Sequence, residues 1–287
     1  MDNININTEQ EFDKLSEVEK SNYVKEYYNQ KDGFNIYATS PDFNLRELEI
    51  DFILKHLKGK NILDLGCGNG YTSMRITEKY NINVIGIDFS ESMISGAKRL
   101  LEQYPGSLKS KPVFYHADAT NFIPETENNT VDTIISERFL LNLPSEQIQF
   151  KTIRHIHKLL IPQGRYLMIE GSIDGLRKLN VLRESIGLTH ITDRGTNNLS
   201  SRKFDDRKIE DFLKGLFEII SVKTFDLYYI ISRIIYPDFV KPENPDYSHF
   251  INKTAKKLEQ ILEIPSQGIG HIKCYVLEKK TGSLKSE

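Results

Sequence analysis

Between residues 61 and 170 short unbroken apolar runs alternate with longer stretches in which apolar residues recur at helical spacing. The runs 61–65, 83–88, 113–116, 131–136 and 165–170 read as strands, and 72–80, 90–104 and 145–159 read as helices, with Ser90 as the N-cap of the second. Strands that are apolar throughout and separated by helices belong to a parallel sheet covered on both faces. Right-handed crossovers follow as the default connection.

The flanking regions carry a weaker pattern. Residues 1–43 are polar and tyrosine-bearing, weakly helical over 9–30. Asn44 followed by Glu47 reads as a capping-box start for a helix whose apolar stripe is Leu45, Leu48, Phe52, Ile53 and Leu57. After residue 170 the rhythm breaks into a helix at 176–186, a polar loop at 192–201, a helix at 204–213 and a strand at 217–225. A tyrosine- and proline-bearing stretch fills 227–265, a last strand covers 273–279, and 282–287 reads as a frayed end. The expected organisation is an N-terminal segment, 1–43, and one domain, 44–287, with insertions at about 171–203 and 227–265.

Composition narrows the class. Of 287 residues, 39% are hydrophobic and 27% charged, and the net charge is −2, so a core forms and no basic excess marks a nucleic-acid binder. The two cysteines, Cys67 and Cys274, are too few for a disulfide scaffold or a zinc cluster. His155 and His157 are two apart on a helix and point to different faces, so no metal is expected. No apolar run approaches the ~20 residues that span a bilayer, and the polar start has no signal-peptide pattern. A cytoplasmic protein without membrane attachment is the expectation.

The chemistry is concentrated in Asp64-Leu65-Gly66-Cys67-Gly68-Asn69-Gly70, which follows a strand and opens a helix. Glycines there let the backbone turn sharply and approach a ligand closely. The first strand–helix turn of a nucleotide-binding sheet is where such a ligand lies. A carboxylate at the end of the second strand, Asp88, can accept both hydroxyls of a ribose. The third glycine arrives one residue too early for a dinucleotide fingerprint. Asp64 beside the loop suits a cationic ligand better than a pyrophosphate.

Asp64-x-Gly66-x-Gly68-x-Gly70 resembles motif I of the class I S-adenosylmethionine-dependent methyltransferases. Val84 to Ser90 resembles their second motif, Tyr115-His116-Ala117-Asp118-Ala119 the third, and 131–135 with 159–164 the fourth strand and the turn before the fifth. The resemblance covers about 60–280. It implies an α/β fold: a three-layer α/β/α sandwich around a Rossmann-like seven-stranded sheet, strand 7 antiparallel, with N-terminal and inserted helical lid segments. It implies S-adenosyl-L-methionine as cofactor, S-adenosyl-L-homocysteine as product, and no metal. Asp64, Gly66, Cys67, Gly68 and Gly70 would lie at the amino-acid end, Asp88 at the ribose, and Phe89, Met93, Asp118 and Ala119 around the adenine. Ser136 would face the methionine portion.

The implied reaction is methyl transfer to a small polar metabolite, with a hydroxyl oxygen as the expected acceptor atom. Glu137 and Arg138 with Asn142-Leu143 resemble methyltransferases among bacterial surface-sugar enzymes, which implies a sugar or surface-polysaccharide precursor. Glu137, Arg138 and Glu170 stand at strand ends where a polar substrate would be oriented, Arg138 by clamping an anionic group. An oxygen nucleophile calls for a base. In this family the seventh strand begins at the ligand edge, which makes His271 the candidate. Segments 1–43, 171–203 and 227–265 are expected to cover that edge as a lid. The alternatives are an N-methyltransferase of a small amine, an RNA-directed methyltransferase, a nicotinamide-dependent oxidoreductase and a non-catalytic cofactor-binding regulator. A homo-oligomer is compatible with the chain.

Overall fold

The computed structural model describes residues 8–124, 131–194, 199–241, 246–262 and 264–281. Its centre is a seven-stranded sheet in the order β3-β2-β1-β4-β5-β7-β6. The strands are β1 Asn61–Leu65, β2 Asn83–Asp88, β3 Val113–His116, β4 Val131–Glu137, β5 Leu160–Gly171, β6 Phe217–Lys223 and β7 Ile272–Lys279. The first five are parallel to one another, and β7 pairs antiparallel with both β5 and β6. The order of strands reverses at β1, between β2 and β4, and this opens a crevice at the carboxyl ends of the strands.

The helices are α1 Glu9–Asp13, α2 Glu17–Asn29, α3 Phe43–His56, α4 Tyr71–Lys79, α5 Glu91–Glu102, α6 Glu146–Leu159, α7 Ile173–Ser185, α8 Asp206–Leu216, α9 Asp226–Ile230, α10 Tyr236–Val240 and α11 Phe250–Ile261. Side chains alternate across a strand, and the two faces of the sheet have separate cores. Ile62, Ile135, Leu167, Ile169, Cys274 and Val276 pack with α3 on one face. Leu63, Leu65, Ile134, Tyr166, Met168 and Leu277 pack with α6 and α8 on the other. Asp64 and Glu137 share parity with Ile62 and Ile135. They are therefore turned toward the α3 face, where a carboxylate must find polar partners.

Several expected boundaries move, three of them for a reason visible in local contacts; the helix expected at 204–213 is Asp206–Leu216 and the strand expected at 217–225 is Phe217–Lys223. The cap of α3 is Asp42, whose Oδ1 accepts from the Leu45 N–H at 3.1 Å, and not Asn44; Glu47 instead pairs with Arg75 at 2.7 Å. Strand β5 begins at Leu160 because Leu160 pairs with Val131 before an irregularity, with Gln163 at φ 60°, restores the register at Arg165. Helix α7 begins at Ile173, capped by the Ser172 hydroxyl on the Gly175 N–H. The stretch 282–287, expected to fray, lies outside the described residues, as do parts of the loop 192–201 and of the proline-bearing stretch.

The second insertion builds a small core of its own. Tyr228 and Tyr229 are fully enclosed, and Tyr236 is buried. Asp42, the cap of α3, also accepts from the Tyr228 hydroxyl at 2.6 Å and pairs with Arg233. Arg233 in turn lies over the rings of Tyr228, Tyr229 and Tyr247. The insertion thus fixes the point where the N-terminal segment enters the domain. Among the described residues no helix is long and apolar enough to cross a membrane.

Candidate functional site

A cavity of about 610 Å³ opens at the carboxyl ends of β1, β2 and β4. That lies within the range of roughly 300–1,000 Å³ usual for small-molecule sites. Its floor is the β1–α4 loop. Gly66 and Gly68 have φ of 69° and 54°, a region that favours glycine. A Cβ on Gly66 would lie 2.6 Å from the Phe139 ring, and one on Gly68 would lie 2.8 Å from Thr39 Cγ2. The loop is thus bent and closely covered, and glycine answers both demands.

Two enclosed acids flank the loop. The Asp64 carboxylate accepts from the Ser73 hydroxyl at 2.6 Å, and burial pushes it up to about 7 against that bond. Asp88 accepts from the Gly68 N–H on Oδ2 and the Ser90 N–H on Oδ1, each at 2.9 Å, and burial pushes it up to about 6. Each carboxylate oxygen has a second lone pair, so Asp88 can still receive two hydroxyls. Acids held this high in a cavity favour a cation or a set of donors as the occupant. A glycine bend between two such acids fits an amino-acid-bearing sulfonium nucleoside.

The cavity brings together Asp64, Gly66, Cys67, Gly68, Asp88, Phe89, Asp118, Ala119, Glu137 and Arg138 from the residues singled out in the sequence. Asp118 is organised locally, accepting from the Thr120 N–H at 2.9 Å and its hydroxyl at 2.7 Å. Burial drives the Cys67 thiol well above its usual range, which suits a filler of the loop and not a nucleophile.

Other expected residues stand elsewhere. Gly70, with φ of 70°, forms the N-terminus of α4 beneath the Phe114 ring. Met93 is enclosed on α5, and the Ser136 hydroxyl is bonded to the Tyr166 hydroxyl at 2.8 Å, because its parity turns it to the opposite face. Glu170 is enclosed beneath the turn Leu140–Asn142 and accepts from the N–H groups of Phe139, Leu140 and Leu141. Burial pushes it up to about 8 although those donors pull the other way.

His271 is not among the cavity-lining residues. The preceding loop is drawn inward, with the Gln267 and Ile269 N–H groups donating to Asp226 and the Gly270 N–H to the Gly175 carbonyl. The His271 ring lies edge-on to Tyr229 with centroids 5.1 Å apart, and burial holds it well below its usual range. Its place does not bring it to an acceptor in the cavity.

The opposite wall comes from the N-terminal segment. Glu17, Ser21, Lys25 and Tyr28 recur at helical spacing along α2 and line the cavity, with Asn142, Leu143, Pro144 and Ile148 facing them. The Tyr28 hydroxyl is hydrogen-bonded to Asn142, and Glu17 meets the Ser145 hydroxyl at the cap of α6. Ser90 and Ser92 of the α5 start bond to Asn29 and to the Lys31 carbonyl, at 2.8 and 2.6 Å. No described residue of 171–203 or 227–265 lines the cavity.

Arg46 and Glu49 of α3 complete the site from below. Arg46 donates to the Ile36 carbonyl at 2.9 Å and lies over Tyr71. Arg138, at φ 55°, turns its guanidinium onto Glu49 and the Ser40 hydroxyl. It is held by protein groups instead of projecting free toward a substrate. The only sequence signal for Arg46 and Glu49 was their spacing of three, which puts both charges on one face of the helix, beside its apolar stripe.

Comparison with known proteins agrees with this geometry. A family model described as a methyltransferase domain matches residues 56–262. Phosphoethanolamine N-methyltransferase 3 of Arabidopsis thaliana is 36% identical over 112 residues, 39% of this chain and 21% of that protein. Cyclopropane mycolic acid synthase 3 of Mycobacterium tuberculosis is 36% identical over 73 residues, 23% of this chain and 25% of that protein. The matches thus span about a fifth to a quarter of these relatives. Magnesium protoporphyrin IX methyltransferase of Synechocystis, solved with bound S-adenosylmethionine, superposes with a TM-score of 0.56 at 15% identity, covering 93% of this chain and 98% of that one. A cyclopropane synthase of Mycobacterium tuberculosis gives 0.57 at 17% identity, covering 89% and 97%. At these identities the structural likeness speaks for the fold.

Proposed function

The chain belongs to the class I S-adenosylmethionine-dependent methyltransferases, and on that premise we propose that it methylates a small polar metabolite at a hydroxyl oxygen. The cofactor supplies a methyl group on a positively charged sulfur; the protein supplies position and electrostatics. Asp64 and the Gly66–Gly68 bend would hold the amino-acid end, Asp88 the ribose hydroxyls, and Phe89, Asp118 and Ala119 the adenine. Glu137, Tyr28 and Asn142 would orient the acceptor, and Lys25 stands at the same wall.

The observation that carries the acceptor class is the polar wall opposite the glycine loop, where α2 presents Glu17, Ser21, Lys25 and Tyr28. Glu17 and Tyr28 already meet Ser145 and Asn142, but an apolar acceptor would shield Ser21 and Lys25 from water and offer them nothing in return, which is costly. Segment 1–43, described from residue 8, would act as the lid over the site; the insertions would act through it by anchoring its exit at Asp42. The carboxylates Glu17 and Glu137 favour a second reading, a cationic amine acceptor, to which the phosphoethanolamine relative also points.

A panel of small hydroxyl and amine acceptors, including sugars and phosphoethanolamine, incubated with the cofactor tests this. The expected result is release of S-adenosylhomocysteine with a methyl ether in the product. Methylamine products alone would replace the first reading with the second, and turnover only on long-chain lipids would refute both.

A further inference from the structure

Two carboxyls meet at one wall of the cavity. Glu49 is wholly enclosed; its Oε2 faces the Arg138 guanidinium, and its Oε1 has no hydrogen-bond partner. Glu137 lines the cavity, accepts the Thr72 hydroxyl on Oε2 at 2.6 Å, and places Oε1 3.8 Å from the same Arg138 Nη2. One guanidinium nitrogen thus serves two acids and balances one of them. An enclosed oxygen without a donor is expensive. The Glu49 and Glu137 side chains are within hydrogen-bond reach of each other, so a proton on one makes it a donor to the other and removes the repulsion of like charges.

The surroundings leave few other sources of compensation. Facing the pair are Arg46 on α3, Asp64 at the end of β1, Tyr229 on α9 and Cys274 on β7. Burial drives the Tyr229 phenol and the Cys274 thiol well above their usual ranges, so both are neutral. Arg46 adds one positive charge and Asp64 a third acid. Burial, with Glu137 nearby, pushes Glu49 up to about 8 against the pull of Arg138.

We propose that Glu137 and Glu49 share one proton, that the positively charged methyl donor expels it on binding, and that Glu137 then takes the proton of the acceptor. The last step rests on the hydroxyl-acceptor reading above; the first two do not. In the transfer a lone pair of the acceptor oxygen makes the carbon–oxygen bond, and the electrons of the broken carbon–sulfur bond stay on sulfur. The hydroxyl proton passes to Glu137 and is shared with Glu49. The sulfur is then neutral, and the protonated pair suits the product. One proton leaves when the donor arrives, and one is regained when the methyl group moves.

Calorimetry in buffers of different ionisation enthalpy counts the protons. S-adenosylmethionine is expected to release up to about one proton more than S-adenosylhomocysteine below pH 8, and its relative affinity to rise by up to about tenfold per pH unit before levelling. Protons displaced at Asp64 or Asp88 are common to both ligands and cancel in the difference. Glu49→Gln and Glu137→Gln are each expected to abolish the difference while still binding S-adenosylhomocysteine. Equal release by both ligands in the wild type, or a difference that survives in Glu49→Gln, overturns the proposal.

Should the variants fail to fold, infrared difference spectra of the wild type with the two ligands decide the matter. A protonated-carboxyl band lost in the S-adenosylmethionine complex supports the shared proton, and no change in that band refutes it. With a hydroxyl acceptor, Glu137→Gln is expected to lower kcat by about 10²–10⁴; unchanged kcat removes the base role alone. An amine acceptor together with intact proton expulsion separates failure of the acceptor reading from failure of the pair.

Discussion

Replacing Gly68 by alanine separates two demands that the glycine loop meets at once. The first is conformational: at φ 54° a Cβ costs about 1–2 kcal/mol, whatever surrounds it. The second is steric, because the new Cβ would lie 2.8 Å from Thr39 Cγ2, a methyl group carried by the covering segment. The next nearest atom is Thr39 Cβ at 3.8 Å, so the conflict is confined to one methyl. Gly68→Ala should therefore lower stability by about 1–2 kcal/mol in urea unfolding. It should also weaken S-adenosylhomocysteine, since displacing Thr39 reduces the fraction of protein with the segment seated. A tenfold smaller seated fraction means an apparent Kd about tenfold higher. Thr39→Ser deletes Cγ2 and keeps the hydroxyl. In the double variant the affinity should return to within about threefold of wild type, while the stability loss persists, because φ is unchanged. Calorimetry on the four proteins of the cycle gives the answer. A double variant that binds no more tightly than Gly68→Ala would mean that Thr39 does not seat the segment on the loop.

Other outcomes follow from the same geometry. Asp42→Ala removes the α3 cap and leaves Arg233 enclosed without its anion, so urea unfolding should show a loss of about 3–5 kcal/mol; Lys241→Ala, which breaks the exposed pair with Asp238, should change it by less than about 0.5 kcal/mol. Asp64 and Asp88 are raised to about 7 and about 6, and the ligand's ammonium and hydroxyls favour their ionised forms. Affinity for S-adenosylhomocysteine should therefore be level above about pH 7 and fall as the pH drops through 7 and then 6; an affinity flat to pH 5 would contradict the assignment of both acids. Tyr28→Phe removes the hydroxyl bonded to Asn142, and should reduce kcat/KM by about fivefold while S-adenosylhomocysteine binding stays within twofold.

The parallel half of the sheet was legible because its strands are short runs rich in β-branched and aromatic residues, set between helical or polar stretches. Thus 61–65, 83–88 and 113–116 were read with the bounds the structure shows. The start of β5 was hidden because Ile161-Pro162-Gln163-Gly164 carries every local mark of a turn, and only the partnership with Val131 makes it strand. Asp64, Asp88 and Asp118 were legible from motif spacing, since their places depend on strand ends alone. Arg138 read as a free clamp because its partner, Glu49, comes from a helix whose charged positions look solvent-facing in one dimension. The wall formed by α2 had no apolar stripe to announce it. Its polar residues face a cavity and not a core, and a polar helix facing a cavity has the same sequence pattern as one facing water.

Asp42 ties residue 228 and residue 233 to the start of α3, across 186 and 191 positions of chain. A ribosome delivers α2 and α3 together with the β1–α4 loop, but the tyrosine and arginine that hold their junction emerge only after β6. The nascent chain can thus assemble β1 to β4 while the junction of its covering arm with α3 still lacks these two partners. The finished form of the site then follows the synthesis of residues 228 and 233, and so of β1 to β6 before them.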